Sequence, residues 1–379
     1  MNHYNILIAG AGGIGKAAGL ILADNKSIDC TIHIGDRYLT QAEKAADLIN
    51  YNSRGNSSNA FLIPEEGLSD DMKVVLEKAD IILDCLPGAQ APRLAQYAKD
   101  YKCHYANLTE YVKETDMVTE IAKDAETGFI LQTGLAPGYI NIIAHHLYKK
   151  FAKQHGVEVV DNIDMKVGAL SKHARAPYFY AFTWSPIGVA TEYIKDAVVV
   201  EDFKTSKIPS LSATKKIIID GIEYEDDFTS GGAADLPKAL EGKVKNLNYK
   251  TLRFPGHYKW AKSVIENTPA DVDPVENLNK LMLDTIPAVE DDVVVVFASV
   301  KGKDKNGVLR AIEKSIHVYP SKIGKITLRA IQTTTAAPLC EAALILLNGK
   351  HKGAVFQSQI DTDTFLNGPI VSNIYGKID

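Results

Sequence analysis

Six residues near the N-terminus, Gly10-Ala11-Gly12-Gly13-Ile14-Gly15, set glycines at the spacing G-x-G-x-x-G. The pattern gains meaning from its context: an apolar run before it, a helical pattern after it, and Asp36 closing the next apolar run. Gly15 and Asp36 stand 21 residues apart, close to the ~20 expected of a dinucleotide-binding turn. Gly10 permits the tight turn, Gly12 lets a pyrophosphate approach the backbone, and Gly15 lets helix pack on strand. Gly13 and Ile14 open the helix, whose free N–H groups and positive dipole end suit phosphate. Asp36 is expected to accept hydrogen bonds from the adenosine ribose and to repel a 2′-phosphate, which favours NAD. Arg37 could turn to hold that phosphate, which keeps NADP open. A ligand-free glycine turn, FAD and an SAM-type ligand are the alternatives.

Two further turns lie at strand ends, where ligands of open α/β sheets bind. Leu86 and Pro87, in Asp84-Cys85-Leu86-Pro87-Gly88, can lie against a cofactor. Asn107, Thr109 and Glu110 follow the next strand and are expected near the nicotinamide; ordinary turn chemistry is the alternative. Ser185-Pro186 reads as a helix N-cap followed by proline at the first position, and that N-terminus could also hold a carboxylate. Arg253 offers a planar fork for a carboxylate, with a structural ion pair as the plainer reading. His257 follows Pro255-Gly256, which places it in a turn. No carboxylate pair, Ser-His-Asp set or metal cluster is evident, and adjacent His145 and His146 point about 100° apart on a helix.

The elements that must position these residues fall into two textures. Tyr4–Ala9, Cys30–Gly35, Ala60–Ile63, Asp80–Leu86, His104–Asn107 and Phe129–Thr133 read as strands. They alternate with helices at about Gly12–Asp24, Tyr38–Asn50, Ala91–Tyr101 and Glu114–Glu126. Repeated β-α units of uninterrupted apolar strands predict a doubly wound parallel sheet, a Rossmann domain over 1–137. After Pro137 a helix from about Ile140 to Gln154 leads to longer strands: Asn162–Gly168, Lys216–Tyr224 and Asp291–Val300, the last joined to a partner through Asn306-Gly307. These predict an α+β substrate-binding domain over 138–335 with a mixed, largely antiparallel sheet. A helix at about Ala337–Asn348 and an irregular tail form a segment, 336–379, returning to the first domain.

The bulk figures set limits. Hydrophobic residues make up 46% and charged residues 23%, enough for an ordinary core. Net charge is −5 with acids and bases interleaved, which argues against nucleic acid. Four scattered cysteines, with no C-x-x-C pair, suit reduced thiols in a cytoplasmic protein. No apolar run reaches the ~20 residues that span a bilayer, so no membrane partner is expected.

Several motifs together resemble one family. They are Gly134-Leu135-Ala136-Pro137-Gly138, Trp184-Ser185-Pro186-Ile187-Gly188-Val189 with Glu192-Tyr193, and Thr251-Leu252-Arg253-Phe254-Pro255-Gly256-His257, added to the glycine turn. The chain resembles the saccharopine dehydrogenase (saccharopine reductase) family, including its lysine 6-dehydrogenase branch, from about Tyr4 into the helix after Pro338. The resemblance implies NAD(P)-dependent oxidation of a C–N bond in a lysine-derived amino acid, or the reverse. Such a step needs proton transfers near neutral pH. His257 is the first candidate and His173 the second, with Tyr180 and Glu110 behind them. Arg253, Arg175 and Lys172 are candidate anchors for substrate carboxylates, and Ser185, at its helix N-terminus, is a further substrate-binding candidate. The family often has aspartate at the end of the fifth strand, where this chain has Asn107; that leaves the relay near the nicotinamide open. Lysine 6-dehydrogenase and a non-catalytic NAD(H) sensor are the competing readings, and a homodimer is the expected assembly.

Overall fold

In the computed structural model, which describes residues 2–53, 55–110 and 112–378, the chain divides into two compact units. The first comprises Met1–Tyr139, Ser321–Leu328 and Gln332–Asp379, the second Ile140–Pro320 and Arg329–Ile331.

The first unit begins with β1 (His3–Ala9), α1 (Gly13–Asp24), β2 (Asp29–Asp36), α2 (Leu39–Asn52) and β3 (Ser57–Leu62). It continues with α3 (Asp70–Leu76), β4 (Ile81–Asp84), α4 (Ala91–Asp100), β5 (His104–Asn107), α5 (Val112–Ala122) and β6 (Gly128–Ile130). Sequence periodicity located each of these except α3, which the Ser69 hydroxyl caps by accepting from Met72 N at 3.2 Å. The strands pair in parallel in the order β3-β2-β1-β4-β5-β6. Side chains alternate across the sheet: Leu7, Ile82, Tyr105 and Phe129 face Leu94, Ala95 and Val118 of α4 and α5 in one buried cluster. Burying one such large apolar side chain contributes roughly 1.5–3 kcal/mol. The chain order reverses between β1 and β4, and that crevice is where open α/β sheets bind ligands.

The second unit holds α6 (Tyr139–His155, its first residue counted with the first unit), β7 (Val160–Ser171), α7 (Pro186–Ile194), β8 (Ala197–Glu201) and β9 (Lys204–Ile208). Then come β10 (Lys215–Ile219), β11 (Ile222–Phe228), α8 (Leu236–Ala239), β12 (Val244–Arg253), α9 (His257–Glu266), α10 (Pro274–Thr285), β13 (Asp292–Lys303) and β14 (Leu309–Val318). The sheet runs β10-β11-β12-β7-β13-β14, with β8 and β9 attached through β12. Only β12 and β7 pair in parallel; the remaining pairs are antiparallel. The expected single strand Lys216–Tyr224 is a hairpin, because Asp220 and Gly221 both take positive φ and turn the chain. The hairpin folds toward the far edge. The Tyr224 hydroxyl lies 3.4 Å from His317 Nε2 on β14, and the Asp220 carboxylate lies 3.2 Å from His317 Nδ1.

The sheet's two faces differ. Pleating puts Glu225, Asp227, Thr251 and Arg253 on one face, where α9 meets them: Tyr258 N donates to Glu225 and Lys262 pairs with Asp227. The other face carries Tyr224, Leu252, Leu170, Val293 and Val295 in one cluster. Beside them lies a buried ionic triad, in which Lys166 and Lys250 reach the two oxygens of Asp226 at 2.7 and 2.8 Å.

The tail, expected to be irregular, holds regular elements. After β15 (Ser321–Ile323) and β16 (Ile326–Leu328), α11 runs Ala330–Asn348, seven residues earlier than its apolar pattern suggests. By length and composition α11 could cross a membrane, against the reading of the sequence, yet 78% of its apolar window is buried inside the protein. β17 (Gly353–Val355) then adds to β6 as a seventh parallel strand, followed by α12 (Thr362–Leu366) and α13 (Val371–Tyr375). Tyr375 stacks on Tyr139 at 3.5 Å and donates to the Thr334 carbonyl at 2.6 Å. A three-residue strand carries too little periodicity to be read from sequence; the sheet edge that receives it decides its conformation.

Candidate functional site

The glycine turn has the geometry that its spacing anticipates. Gly10 has φ +103°, and a Cβ there would lie 2.9 Å from the Cys85 carbonyl oxygen. A Cβ on Gly15 would lie 1.8 Å from the Gly10 carbonyl oxygen, so only glycine lets α1 pack this close. Gly12 differs: a Cβ there meets nothing within 4 Å, so its glycine serves no contact inside the protein. Gly12 and Gly13 are exposed and Ile14 is half-buried at the start of α1. That helix has no side-chain cap and no acid in its first turn. Its first N–H groups are therefore open to an anion.

Asp36 stands where β2 ends. Its Oδ2 accepts from Ala11 N at 2.9 Å and its Oδ1 from Tyr38 N at 3.1 Å. Two backbone donors hold the carboxylate beside the glycine turn, and each oxygen keeps a second lone pair for a sugar hydroxyl. Arg37 is exposed, its guanidinium 4.8 Å from the Tyr38 ring centre.

On the other side of the crevice, Leu86 is half-buried and Pro87 exposed, directly after β4. Asn107 differs from expectation. It is buried at 1% exposure, and its side chain is spent on the fold: Oδ1 accepts from Gln132 N at 2.9 Å and Nδ2 donates to the Tyr105 hydroxyl at 3.4 Å. It braces strand ends and has little left to offer a proton relay. Thr109 is buried with its hydroxyl unpartnered, and Glu110 is half-buried.

The second unit gathers a different set. Arg253 ends β12, Tyr193 comes from α7, and His257 opens α9. Arg253 Nε donates to the Tyr193 hydroxyl at 2.7 Å, and that hydroxyl lies 2.9 Å from His257 Nε2. His257 Nδ1 lies 2.7 Å from the Tyr178 carbonyl, which can only accept, so Nδ1 carries the proton and Nε2 accepts from Tyr193. The guanidinium also lies 4.7 Å from the Tyr180 ring centre and donates through Nη1 to the Leu252 carbonyl. Its Nη2 has no partner, although the residue is only 1% exposed. A buried cationic nitrogen without an acceptor is costly, and a ligand carboxylate would relieve it.

The same geometry corrects the expectation for His257. It is the first residue of a helix rather than part of an open turn, it is fully buried, and both ring nitrogens are engaged. Burial and the neighbouring Arg253 charge push its pKa down to about 3, against the opposing pull of the Tyr178 carbonyl. Both effects favour the neutral ring, whose Nε2 accepts from the Tyr193 hydroxyl and so orients it. Tyr180 is likewise buried, and burial raises its hydroxyl above the ordinary phenol range.

Lys172, His173 and Arg175 lie exposed on the segment after β7, where His173 faces Asp291 at 3.6 Å. Among the described residues, none of the three hydrogen-bonds to the Arg253–Tyr193–His257 chain. Ser185 caps α7 as its sequence suggests, accepting from Gly188 N at 3.4 Å. Reading the sequence missed Tyr193 and Tyr178 as working parts. The Glu-Tyr pair after the Trp-Ser-Pro motif was the available signal for Tyr193, whereas Tyr178 enters through its carbonyl, which no residue type announces. Among the described residues, no group of three or more His, Cys, Asp or Glu converges on a metal position.

Two family patterns match the chain. The saccharopine dehydrogenase NADP binding domain matches residues 6–131 and the saccharopine dehydrogenase C-terminal domain matches residues 134–376. The chain belongs to the saccharopine dehydrogenase family. Its fold is similar to apo saccharopine dehydrogenase (L-Glu forming) from Saccharomyces cerevisiae, with a TM-score of 0.74, 15% identity and 98% of each chain covered. It is also similar to the homospermidine synthase of Legionella pneumophila solved with NAD, with a TM-score of 0.68, 12% identity, and 99% of this chain and 90% of that one covered. A curated relative, the mitochondrial alpha-aminoadipic semialdehyde synthase of Rattus norvegicus, is 23% identical over 194 residues. That stretch is 51% of this chain, and the chain spans about a fifth (20%) of the relative's length.

Proposed function

We propose that the chain is an NAD(P)-dependent dehydrogenase of the saccharopine dehydrogenase type, acting on a C–N bond of a lysine-derived amino acid. The observation that carries the reading is Arg253: a buried guanidinium with an unpartnered nitrogen, in a chain whose other unit has the dinucleotide turn. The family and the two folds, one solved with NAD, support it.

The dinucleotide would rest on Gly10–Gly15 and Asp36 and supply the hydride acceptor. Asp36 favours NAD over NADP, because its charge is held in place by two amides while Arg37 is turned onto Tyr38. Arg253 binds a substrate carboxylate through Nη2, and the Tyr193–His257 pair fixes the direction of its fork. Of the two candidate histidines, His173 is exposed to solvent and His257 is enclosed beside Arg253 and Tyr193. Homodimers are the expected assembly, consistent with β14 as a ten-residue edge strand exposed over its first half. A cytoplasmic location fits the four unpaired cysteines.

The test is reduction of NAD and NADP by the purified chain with saccharopine, lysine and related diamines. Turnover with saccharopine supports the reading, and turnover with lysine alone shifts it to lysine 6-dehydrogenase. Tight dinucleotide binding with no turnover on the whole panel would replace it with a sensor of coenzyme occupancy.

A further inference from the structure

A second buried polar cluster, at the ends of β4 and β5, has no part in the scheme above. Asp84 closes β4 at 3% exposure; its Oδ2 accepts from the Tyr105 hydroxyl at 2.7 Å and its Oδ1 from Leu86 N at 3.0 Å. Asn107 joins Tyr105 to Gln132, so one network ties the carboxyl ends of β4, β5 and β6. It also touches the glycine turn. A Cβ on Gly10 would lie 2.9 Å from the Cys85 carbonyl oxygen and 3.2 Å from a Leu86 methyl, so the segment that Asp84 holds packs against that turn.

The cluster has two self-consistent proton arrangements. With Asp84 ionised, Tyr105 donates to it. With Asp84 protonated, the acid donates to the Tyr105 oxygen, and the phenol proton turns to the Ala91 carbonyl 3.3 Å away at the start of α4. Burial pushes Asp84 up to about 6, against the opposing pull of Tyr105, Leu86 N and Arg93. The groups facing it are Tyr105 from β5, Arg93 from α4, Cys85 beside it and, beyond Cys85, Cys340 from α11. Burial raises both thiols and the phenol, so in mildly acidic to neutral solution Asp84 is the member of this set whose charge changes.

In a sheet of this order the two halves of a dinucleotide lie over the two halves of the sheet, the adenosine over β1–β3 and the nicotinamide over β4–β6. A carboxylate on the nicotinamide side attracts the positive charge of the oxidised ring and gains nothing from the neutral reduced ring. We propose that Asp84, braced by Tyr105, sets the chain's preference between oxidised and reduced coenzyme, its ionised form favouring the oxidised one. The proposal rests on the dinucleotide reading above. Binding of the oxidised coenzyme then expels a proton from Asp84, and binding of the reduced form does not.

The test is equilibrium binding, with no turnover needed: calorimetric titration of the full chain with NAD and with NADH across the window around pH 6. The NAD-to-NADH affinity ratio should rise roughly five-fold from below to above that point. Asp84→Asn, whose amide can accept from Leu86 N and donate to Tyr105, should flatten the profile. Tyr105→Phe removes a bond that holds Asp84 down, so it should move the inflection to higher pH, and it serves if the Asn variant does not fold. A flat wild-type ratio, or an unchanged inflection in the variant measured, overturns the proposal and leaves the dinucleotide reading intact. No binding of either coenzyme to the wild type overturns both.

Discussion

Arg253 has five donors and two named acceptors, the Tyr193 hydroxyl and the Leu252 carbonyl, so its fork faces inward with Nη2 unmet. Lysine keeps the charge and loses the fork. Arg253→Lys should therefore raise KM for a carboxylate-bearing substrate by roughly ten- to hundred-fold, the value of a charge-assisted hydrogen bond, with a smaller effect on kcat. Steady-state kinetics against saccharopine would read this split; an unchanged KM removes Arg253 from substrate binding. Asp36 makes a parallel case on the coenzyme side. Asp36→Ser should weaken NAD by about ten-fold and bring NADP level with it or ahead, measured as dissociation constants for both coenzymes. If NADP already binds the wild type more tightly, Arg37 rather than Asp36 governs the choice.

At the scale of the element, the turn between β1 and α1 separates glycine kept for the fold from glycine kept for a ligand. A methyl on Gly15 would overlap the Gly10 carbonyl, and a methyl on Gly12 would stand in open space at an ordinary negative φ. Gly15→Ala should therefore lower both melting temperature and coenzyme affinity. Gly12→Ala should leave the melting temperature within about 2 °C and still cost affinity by ten-fold or more. Thermal melts beside coenzyme titrations distinguish the two; a stable Gly12→Ala protein that binds normally would mean the pyrophosphate lies elsewhere.

For the whole molecule, the buried charges dominate the response to mutation and to pH. Asp226 is the carboxylate between Lys166 and Lys250, all three nearly inaccessible. Asp226→Asn leaves two buried ammonium groups without a counter-charge and should cost about 3–5 kcal/mol in urea unfolding; a loss below about 1 kcal/mol would show that water reaches the triad. Acid should also destabilise the protein. His257 and His145 are pushed down to about 3 and about 4, chiefly by burial. The unfolded chain binds their protons below its ordinary value of ~6.5, so stability is full above that pH and is lost as pH falls toward 4. Asp84, raised to about 6, acts with the opposite sign and recovers part of the loss over the same range. Melting temperature against pH should fall below about pH 6.5, and less steeply in a His145→Phe variant; an equal slope would place the acid sensitivity elsewhere.

The sequence by itself determined the parts that depend on local spacing: the parallel strands and helices of the first unit, the glycine turn with Asp36, and the Ser185 cap. In these, spacing along the chain carries the signal: apolar periodicity, positive φ at Gly10, the fixed interval from the glycine turn to Asp36, and a side chain that reaches its own helix end. Tertiary structure decided what His257 and Asn107 became, since both look available in sequence and both are sealed by residues distant along the chain. It also decided the seventh strand and the Asp84–Tyr105 pair. Burial and hydrogen-bond partners are set by the neighbours that the fold delivers. The same side chain therefore carries protons in a wet turn and holds a tyrosine in a dry core.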